Sequence, residues 1–208
     1  MGKKKFKLYD IETGSIQVAD PLVSSIPADI HGYYFAIATD EPTPKYGIVP
    51  DIDILKKSSE TILDTGNQTT TGVKVTRNYK VPIPANMILA GKVWLFGKSI
   101  AYNQTANTGD KARVNLNLQK NGNTLDGVVK ATGTERIPNS TDEVVYSEIL
   151  VIDLPATEFN AGDTLNIIVE LEITAIDSSN PGITFKLYCD PTTSGNELVF
   201  YLQLTWRL

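Results

Sequence analysis

The sequence predicts an all-β protein, a jelly-roll-like antiparallel sandwich of two sheets with a smaller β-rich segment in front of it. Three observations lead to this prediction. Apolar and polar residues alternate with a period of two over several long segments, which is the pattern of half-buried strands. No segment of helical length carries an apolar stripe, and clusters of Gly, Pro, Asn, Asp and Thr separate the alternating segments. With 208 residues, of which 41% are hydrophobic, the chain is able to bury a core.

The first 66 residues differ from the rest and are predicted to form an attachment segment. They contain a predicted hairpin around Gly14 and Ser15, an aromatic run at 33–35 and a short helical candidate at 52–59. A polar, Thr-rich stretch at 64–72 has the composition of a linker. The sequence therefore predicts two parts, a docking segment at 1–66 and a sandwich domain at 67–208.

Alternation places the strands of the second part. It is clearest at 112–119, 165–174 and 198–208. Further strands are predicted at 73–81, 93–100, 144–153 and 183–189. The Asn121-Gly122 pair is a strong hairpin signal, so a tight turn is expected there. The residues expected to point into the core are Val114, Leu116, Leu118, Leu165, Ile167, Val169, Leu171, Ile173, Leu198, Phe200, Leu202, Leu204 and Trp206.

An internal repetition indicates two similar corners in the second part. The segment IPANMILAGKVWLF, which starts at Ile83, resembles LPATEFNAGDTLNI, which starts at Leu154. The proline at the second place of each is expected to end a strand, because it has no N–H for a ladder. The glycines at the ninth place, Gly91 and Gly162, are expected to permit a tight turn at positive φ. The repetition favours two Greek-key halves of one sandwich, and two tandem small domains are the alternative.

The inventory of reactive side chains disfavours catalysis. One cysteine, Cys189, and one histidine, His31, leave no zinc cluster and no serine–histidine–acid set with its elbow motif. Cys189 is expected to be a small buried residue. Two carboxylate pairs are the candidates for a glycosidase site, Glu170 with Glu172 and Glu143 with Glu148. Glu170 and Glu172 share one strand face, which is the pattern of a solvated sheet face and is far commoner than a catalytic pair.

No catalytic, cofactor-binding or metal-binding residue is therefore predicted. A calcium ion held by loop carboxylates is the alternative that stays open, because oxygen-rich turns bind this cation. Its candidate ligands are Asp51, Asp53 and Asp163.

The charge balance disfavours nucleic acid as a partner. The net charge is -5, whereas duplex-binding domains carry a broad basic surface. The exception is a lysine cluster formed by Lys3, Lys4, Lys5 and Lys7. It is suited to contact nucleic acid or an acidic partner subunit, and a solvated chain end without a partner is the alternative. No run of about 18 apolar residues is present, so no membrane-spanning helix is expected, and no signal peptide is predicted.

The second part resembles the jelly-roll domains of bacteriophage virion proteins over residues 67–208. The resemblance lies in a corner phrase, in a hairpin followed by a Gly-containing turn, and in the closing strand LVFYLQLTWRL. The corner and hairpin residues are Ile83, Pro84, Ala85, Asn86, Ile88, Ala90, Gly91, Asn121, Gly122, Asn123, Leu125, Asp126 and Gly127. The resemblance implies a head, neck or tail protein of the virion, often a trimer, whose N-terminal part docks to the particle. The expected location is the virion, after synthesis in the host cytoplasm.

The prediction for function is a structural virion protein that is not an enzyme. It is expected to form a homo-oligomer, with a trimer favoured, and to contact other virion proteins, with the aromatic run at 33–35 supplying apolar contact area. The alternative is a carbohydrate- or receptor-binding module that recognises a host-surface ligand. That function needs an exposed aromatic platform, for which the candidates are Trp94, Tyr102 and Tyr201.

Overall fold

The computed structural model describes residues 28–38, 43, 45–50, 58–105, 108–138, 140–179 and 181–207. Within these ranges the chain forms strands and no helix. The predicted hairpin at Gly14, the lysine cluster and residues 52–57 of the helical candidate lie outside the described residues. The strands are β1 (Ala28–Ala38), β2 (Tyr46–Pro50), β3 (Ile62–Gln68), β4 (Gly72–Pro82), β5 (Met87–Asn103), β6 (Lys111–Lys120), β7 (Asn123–Thr124), β8 (Ala131–Thr132), β9 (Val144–Phe159), β10 (Thr164–Ala175), β11 (Ile183–Tyr188) and β12 (Val199–Arg207).

The strands form two layers of one continuous hydrogen-bonded sheet. In the first layer, β5 pairs with β9 on one side and with β12 and β11 on the other; β12 also pairs with β1, and β11 with β3. In the second layer, β10 lies between β4 and β6, and the short β7 and β8 pair with β6. The layers are joined because β1 pairs with β2, which meets β4 through the parallel contact Gly47↔Lys80. The predicted all-β sandwich is confirmed, and this contact is the one parallel pairing among the described strands.

The inner faces of both layers share one hydrophobic core. The residues predicted to point inward are buried in it, and Trp206 packs against it partly buried. Tyr79 of β4 packs on Phe200 of β12 with 5.4 Å between the ring centroids, so aromatic side chains join the two layers. Asn115, expected on the polar outer face of β6, is fully buried, and its amide donates a hydrogen bond to Glu172. Neighbouring side chains on the same sheet face therefore cover a position that alternation marks as solvent-facing.

The two corners are less alike than their sequences. Positive φ is confirmed at both glycines, 142° at Gly91 and 89° at Gly162. Gly162 lies in the turn between β9 and β10, but Gly91 lies inside β5, where the ladder with β9 is irregular. The prediction that Pro155 ends a strand is wrong: it lies inside β9, at that same irregularity, where a missing N–H is tolerated. The corners touch each other, since Ile83 N donates to Asp163 O at 2.8 Å.

The hairpin predicted at Asn121-Gly122 is confirmed. It joins β6 to β7, and both residues have positive φ, 52° and 81°, as a tight two-residue turn between antiparallel strands requires.

The predicted division after residue 66 falls within β3. Strand β1, from the predicted docking segment, pairs with β12 from Ala28↔Trp206 to Phe35↔Val199. The described residues of that segment also contribute Ala36 and Ile48 to the shared core. They therefore belong to the same sheet as the sandwich domain, and the docking role itself stays a prediction.

Candidate interaction surface

The carboxylates of the first candidate pair are held in ion pairs. Glu170 lies 2.5 Å from the Lys130 ammonium, and Glu172 accepts hydrogen bonds from Arg113 Nε at 2.8 Å and Asn115 Nδ2 at 2.7 Å. Burial alone raises the pKa of Glu172, but the bonds from Asn115 and Arg113 outweigh it and bring the pKa below its ordinary value. A glycosidase acid needs a raised pKa. The geometry of this pair therefore gives no support to acid catalysis.

The second candidate pair is divided between separate partners. Glu148 is buried and accepts hydrogen bonds from Ser99 Oγ and from Arg136 Nε, the latter at 2.9 Å. Glu143 instead accepts from Lys186 Nζ at 3.3 Å. The ion pair between Glu148 and Arg136 joins β9 to the segment that follows β8, so Glu148 has a structural role.

Cys189 is buried, as predicted, and burial raises the pKa of its thiol to about 12. Its Sγ lies 3.3 Å from the carbonyl oxygen of Glu60. The thiol is therefore protonated near neutral pH and is a poor nucleophile. His31 lies in β1 opposite Gln203 of β12.

The carboxylate of Asp163, one of the calcium candidates, already has protein donors. It accepts hydrogen bonds from Asn160 N at 2.7 Å and Asn121 Nδ2 at 2.6 Å, and Lys120 Nζ lies 2.9 Å away. Among the described residues, no three His, Cys, Asp or Glu side chains are grouped so that they hold a metal ion. Asp51 and Asp53 lie outside the described residues.

The outer face of the first layer carries two rows of apolar side chains that run across four strands. Each strand contributes one residue to each row, because antiparallel register places outward-facing residues side by side. The first row consists of Tyr33, Tyr201, Trp94 and Val151, and the second of Phe35, Val199, Phe96 and Ile149. These eight residues are called the aromatic face below.

The aromatic face is open to solvent at three of the four ends of its rows; the fourth, Phe35, is only 8% exposed and packs with Ile37 and Val199. Tyr33 is 59% exposed, Ile149 65% and Val151 39%. The Tyr33 and Tyr201 rings lie 4.8 Å apart, and the Trp94 ring is nearly parallel to that of Phe96. Soluble proteins seldom expose a contiguous apolar surface without a binding role. The face is therefore the strongest candidate for an interaction site within the described ranges.

Polar residues border this face. In the next row along the strands, Gln203 lies opposite Lys92, and Lys92 opposite Asp153, with 3.1 Å between the ammonium and the carboxylate. On the other side of the face, Lys98 lies opposite Ser147. An apolar, aromatic centre with a charged rim is the usual composition of a protein–protein interface.

The outer face of the second layer has the opposite character. Its rows across β4, β10 and β6 contain amides, hydroxyls and charged groups, with Ile168 and the 43% exposed Val73 as apolar exceptions. The residues in register there are Thr76, Asn78, Lys80, Asn115, Asn117, Gln119, Asn166, Ile168 and Glu170. The two sides of the sandwich are thus chemically distinct, and the apolar side is that of the first layer.

The structure brings together two of the three predicted platform residues. Trp94 lies directly opposite Tyr201, whereas Tyr102 lies further along β5, with the Lys186 ammonium 5.3 Å from its ring centroid. Within the aromatic run at 33–35, Tyr34 points the other way and packs against the core, where burial raises the pKa of its phenol. Tyr33 and Phe35 alone face outward, as the two-residue period requires.

Sequence reasoning missed Phe96, Ile149 and Val151. Their signal was present in VWLF and EILVID, where apolar residues occupy both faces of a strand. That pattern indicates burial or contact on both sides. The order of strands, which decides whether such residues become neighbours, was not available from the sequence.

The sequence matches no protein-family model, and no curated protein is detectably similar to it. Its structure is similar to two crystal structures of a CocE/NonD family hydrolase from Staphylococcus aureus, with TM-scores of 0.40 and 0.39 and identities of 11% and 12%. These matches cover 94% and 96% of this chain and 40% of the hydrolase. An aminopeptidase from a marine sediment archaeon, Thaumarchaeota archaeon, matches with a TM-score of 0.38 at 10% identity, over 94% of this chain and 40% of that protein. The chain thus spans 40% of the length of these proteins, and likeness at these TM-scores supports no shared activity.

Within the described ranges there is no helix whose length and apolar character would let it cross a lipid bilayer.

Proposed function

We propose that this chain is a non-catalytic structural protein of a phage-type virus particle, and that it self-associates, as a trimer, through the aromatic face. The observation that carries the proposal is the alignment of eight apolar side chains in two rows across β1, β12, β5 and β9. Aromatic residues at the centre of an interface supply most of its binding energy. The virion assignment is supported by the sequence resemblance at the corner, the hairpin and the closing strand.

The test of self-association is light scattering on the full chain over a range of concentrations. The variant Tyr33→Ser/Ile149→Ser removes the two most exposed apolar groups of the face, and because both are exposed its folding cost is small. We expect the wild type to scatter as a trimer. The variant should dissociate into monomers at concentrations at least about tenfold higher than those at which the wild type dissociates, since each lost anchor weakens association by roughly 1–2 kcal/mol.

The matched control is Val129→Ser. Val129 is 81% exposed and lies in the segment between β7 and β8, away from the aromatic face. This variant removes a comparable exposed apolar group and should leave the oligomer unchanged. A monomeric wild type at high micromolar concentration, or equal dissociation of both variants, contradicts self-association through this face.

The virion role has its own test. Mass spectrometry of density-purified virus particles should detect the chain at a stoichiometry fixed relative to the major capsid protein. Absence of the chain from purified particles contradicts the virion assignment while leaving the self-association result unaffected.

A carbohydrate-binding function is the second candidate, favoured by the adjacency of Trp94 and Tyr201. Aromatic rings stack on sugar faces, but the hydroxyls also need polar partners, and the nearest are Lys92, Asp153 and Gln203 in the bordering row. Titration of the full chain with neutral oligosaccharides, followed by tryptophan fluorescence, separates the two functions. Saturable quenching that Tyr201→Ser removes would favour the sugar-binding function.

A further inference from the structure

The outer edge of β9 is the longest open strand edge among the described strands. β9 pairs with β5 along one side, and no described strand pairs with its other side. The Ser147 carbonyl points to this open side, where it accepts a hydrogen bond from Arg136 Nη2 at 2.6 Å. Alternate backbone groups of a strand point the same way, so the N–H and C=O groups of Ile149, Val151 and Asp153 also face the open side. These groups form a template for a further strand.

The edge lacks the features that usually protect an exposed strand from pairing. Lysine, proline and β-bulges are the common ones. Residues 144–154 contain no lysine and no proline, and their register with β5 is unbroken. The charge that points inward from this stretch, Glu148, is already paired with Arg136. Ile149 and Val151 instead expose apolar side chains beside the edge, at 65% and 39%. The edge is therefore suited to receive a partner strand.

The outer face of β9 is complementary to itself. Its exposed side chains follow one another in the order polar, apolar, apolar, polar, and they are Ser147, Ile149, Val151 and Asp153. When two antiparallel copies of β9 meet with Leu150 at a two-fold axis, Ile149 of each copy lies opposite Val151 of the other. Ser147 then lies opposite Asp153, so a hydroxyl donor meets a carboxylate acceptor. A two-fold contact between identical chains requires a self-complementary surface of this kind.

The same register continues the rows of the aromatic face from one copy into the next. Val151 ends the first row and Ile149 ends the second. The first row of one copy therefore runs into the second row of the other copy. The bordering polar row that ends at Asp153 likewise meets the one that ends at Ser147. A shift of the register by two residues removes these matches, because it places Val151 opposite Ser147 or Ile149 opposite Asp153.

We propose that the open edge of β9 pairs with the same edge of a second copy of this chain, antiparallel over residues 147–153, with Leu150 at the two-fold axis. The pairing joins two first layers into one continuous sheet. Because it lies in the plane of that sheet, it leaves the aromatic face uncovered.

This contact goes beyond the trimer proposed above and does not depend on it. A two-fold contact cannot be closed within a three-fold ring, so it joins copies that belong to different trimers. A short strand pairing is weaker than a buried aromatic contact. We therefore expect the pairing at the upper end of the concentration range in which the trimer forms.

Cysteine cross-linking of the full chain tests the register. Two single variants, Ser147→Cys and Asp153→Cys, are mixed at high micromolar concentration, with an affinity tag on one of them, and are oxidised with copper phenanthroline. In the proposed register, residue 147 of one copy and residue 153 of the other have Cα atoms about 5.5 Å apart, a separation that a disulfide spans. Two residues 147, or two residues 153, lie about 20 Å apart.

Mixed pairs, with one copy of each variant, should therefore exceed pairs of identical variants by at least about tenfold. Cys189 is buried and does not compete. Equal yields of mixed and identical pairs overturn the register. Absence of linked pairs overturns the proposal as a whole.

A proline variant tests the assembly by light scattering. Ser147→Pro removes an N–H that faces away from β5, so it blocks a further strand without removing a hydrogen bond of the existing ladder. The matched control is Ser147→Ala, which keeps this N–H. We expect the masses of the wild type and of the control to rise above that of a trimer at the highest concentrations, and the proline variant to stay a trimer.

The two contacts fail in distinguishable ways. If the trimer proposal is wrong and the strand pairing is right, the wild type forms dimers that Ser147→Pro abolishes. Equal masses of the wild type and Ser147→Pro at every concentration overturn the pairing, whether or not a trimer forms.

Discussion

The two glycines of the repeated corner should respond very differently to the addition of one methyl group. A Cβ at Gly91 would lie 2.1 Å from the carbonyl oxygen of Gln203 on β12, whereas a Cβ at Gly162 would meet nothing within 4 Å. Both residues have positive φ, so alanine at either site strains the backbone by about 1–2 kcal/mol. At Gly91 the neighbouring strand must also move by about 1 Å within a close-packed sheet. We therefore expect Gly162→Ala to lower the free energy of unfolding by about 1–2 kcal/mol and Gly91→Ala by roughly 3–5 kcal/mol.

Urea denaturation of the two variants measures this difference. The transition is followed by the fluorescence of Trp94 and Trp206, whose strands β5 and β12 are the pair that Gly91→Ala would separate. A difference of at least about 2 kcal/mol between the variants, with similar dependence on urea concentration, is the expected result. If the free energies of unfolding of the two variants differ by less than about 0.5 kcal/mol, the close approach at Gly91 is relieved without cost and the prediction is wrong.

Three other predictions concern ionisable and reactive groups. Arg136→Ala should lower the free energy of unfolding by about 3 kcal/mol in the same denaturation assay, because it leaves the buried Glu148 carboxylate without its cation. The control is Lys111→Ala, which removes a half-exposed partner of Glu135 and should lower the free energy of unfolding by less than about 1 kcal/mol. The hydrogen bond from Asn160 N, together with those from Asn121 and Lys120, lowers the pKa of Asp163 to about 2, so the stabilising contribution of this carboxylate is present above about pH 4 and is lost as the pH falls towards 2. In the variant Asp163→Asn the urea midpoint should therefore depend less on pH over that range. A pH dependence equal to that of the wild type would contradict this prediction. Cys189 should react with a maleimide at pH 7 only at the rate of unfolding, since its thiol is buried; labelling within minutes in native buffer would show that this thiol is accessible.

The elements of this fold that carry a clear two-residue period were predictable from the sequence. Val169 and Phe200 are buried as their alternation indicates, because each lies on the core-facing side of a strand whose other side faces outward. The Asn121-Gly122 turn was equally predictable, since few residue pairs accept positive φ twice.

The long strands β5 and β9 were predicted too short for a physical reason. Gly91 and Pro155 are strand-breaking residues in isolation, yet here they meet at one irregular point of the ladder, where neither costs a hydrogen bond that the sheet needs. The aromatic face was not predictable from the sequence for another reason. Its rows exist because β1 and β12, which lie far apart in sequence, are neighbours, and local patterns carry no information on such pairing.

The pairing of β1 with β12 also determines when this protein is able to fold. The ribosome makes β1 well before its partner, because about 160 residues separate the end of β1 at Ala38 from the start of β12 at Val199. Until β12 is made, Tyr33 and Phe35 of β1 lie beside an unfilled gap between β1 and β5, because β12 separates these two strands. Closure of the sheet is therefore a step of high contact order that has to wait for the synthesis of β12, and we expect the pairing of β1 with β12 to be a slow, late step of folding.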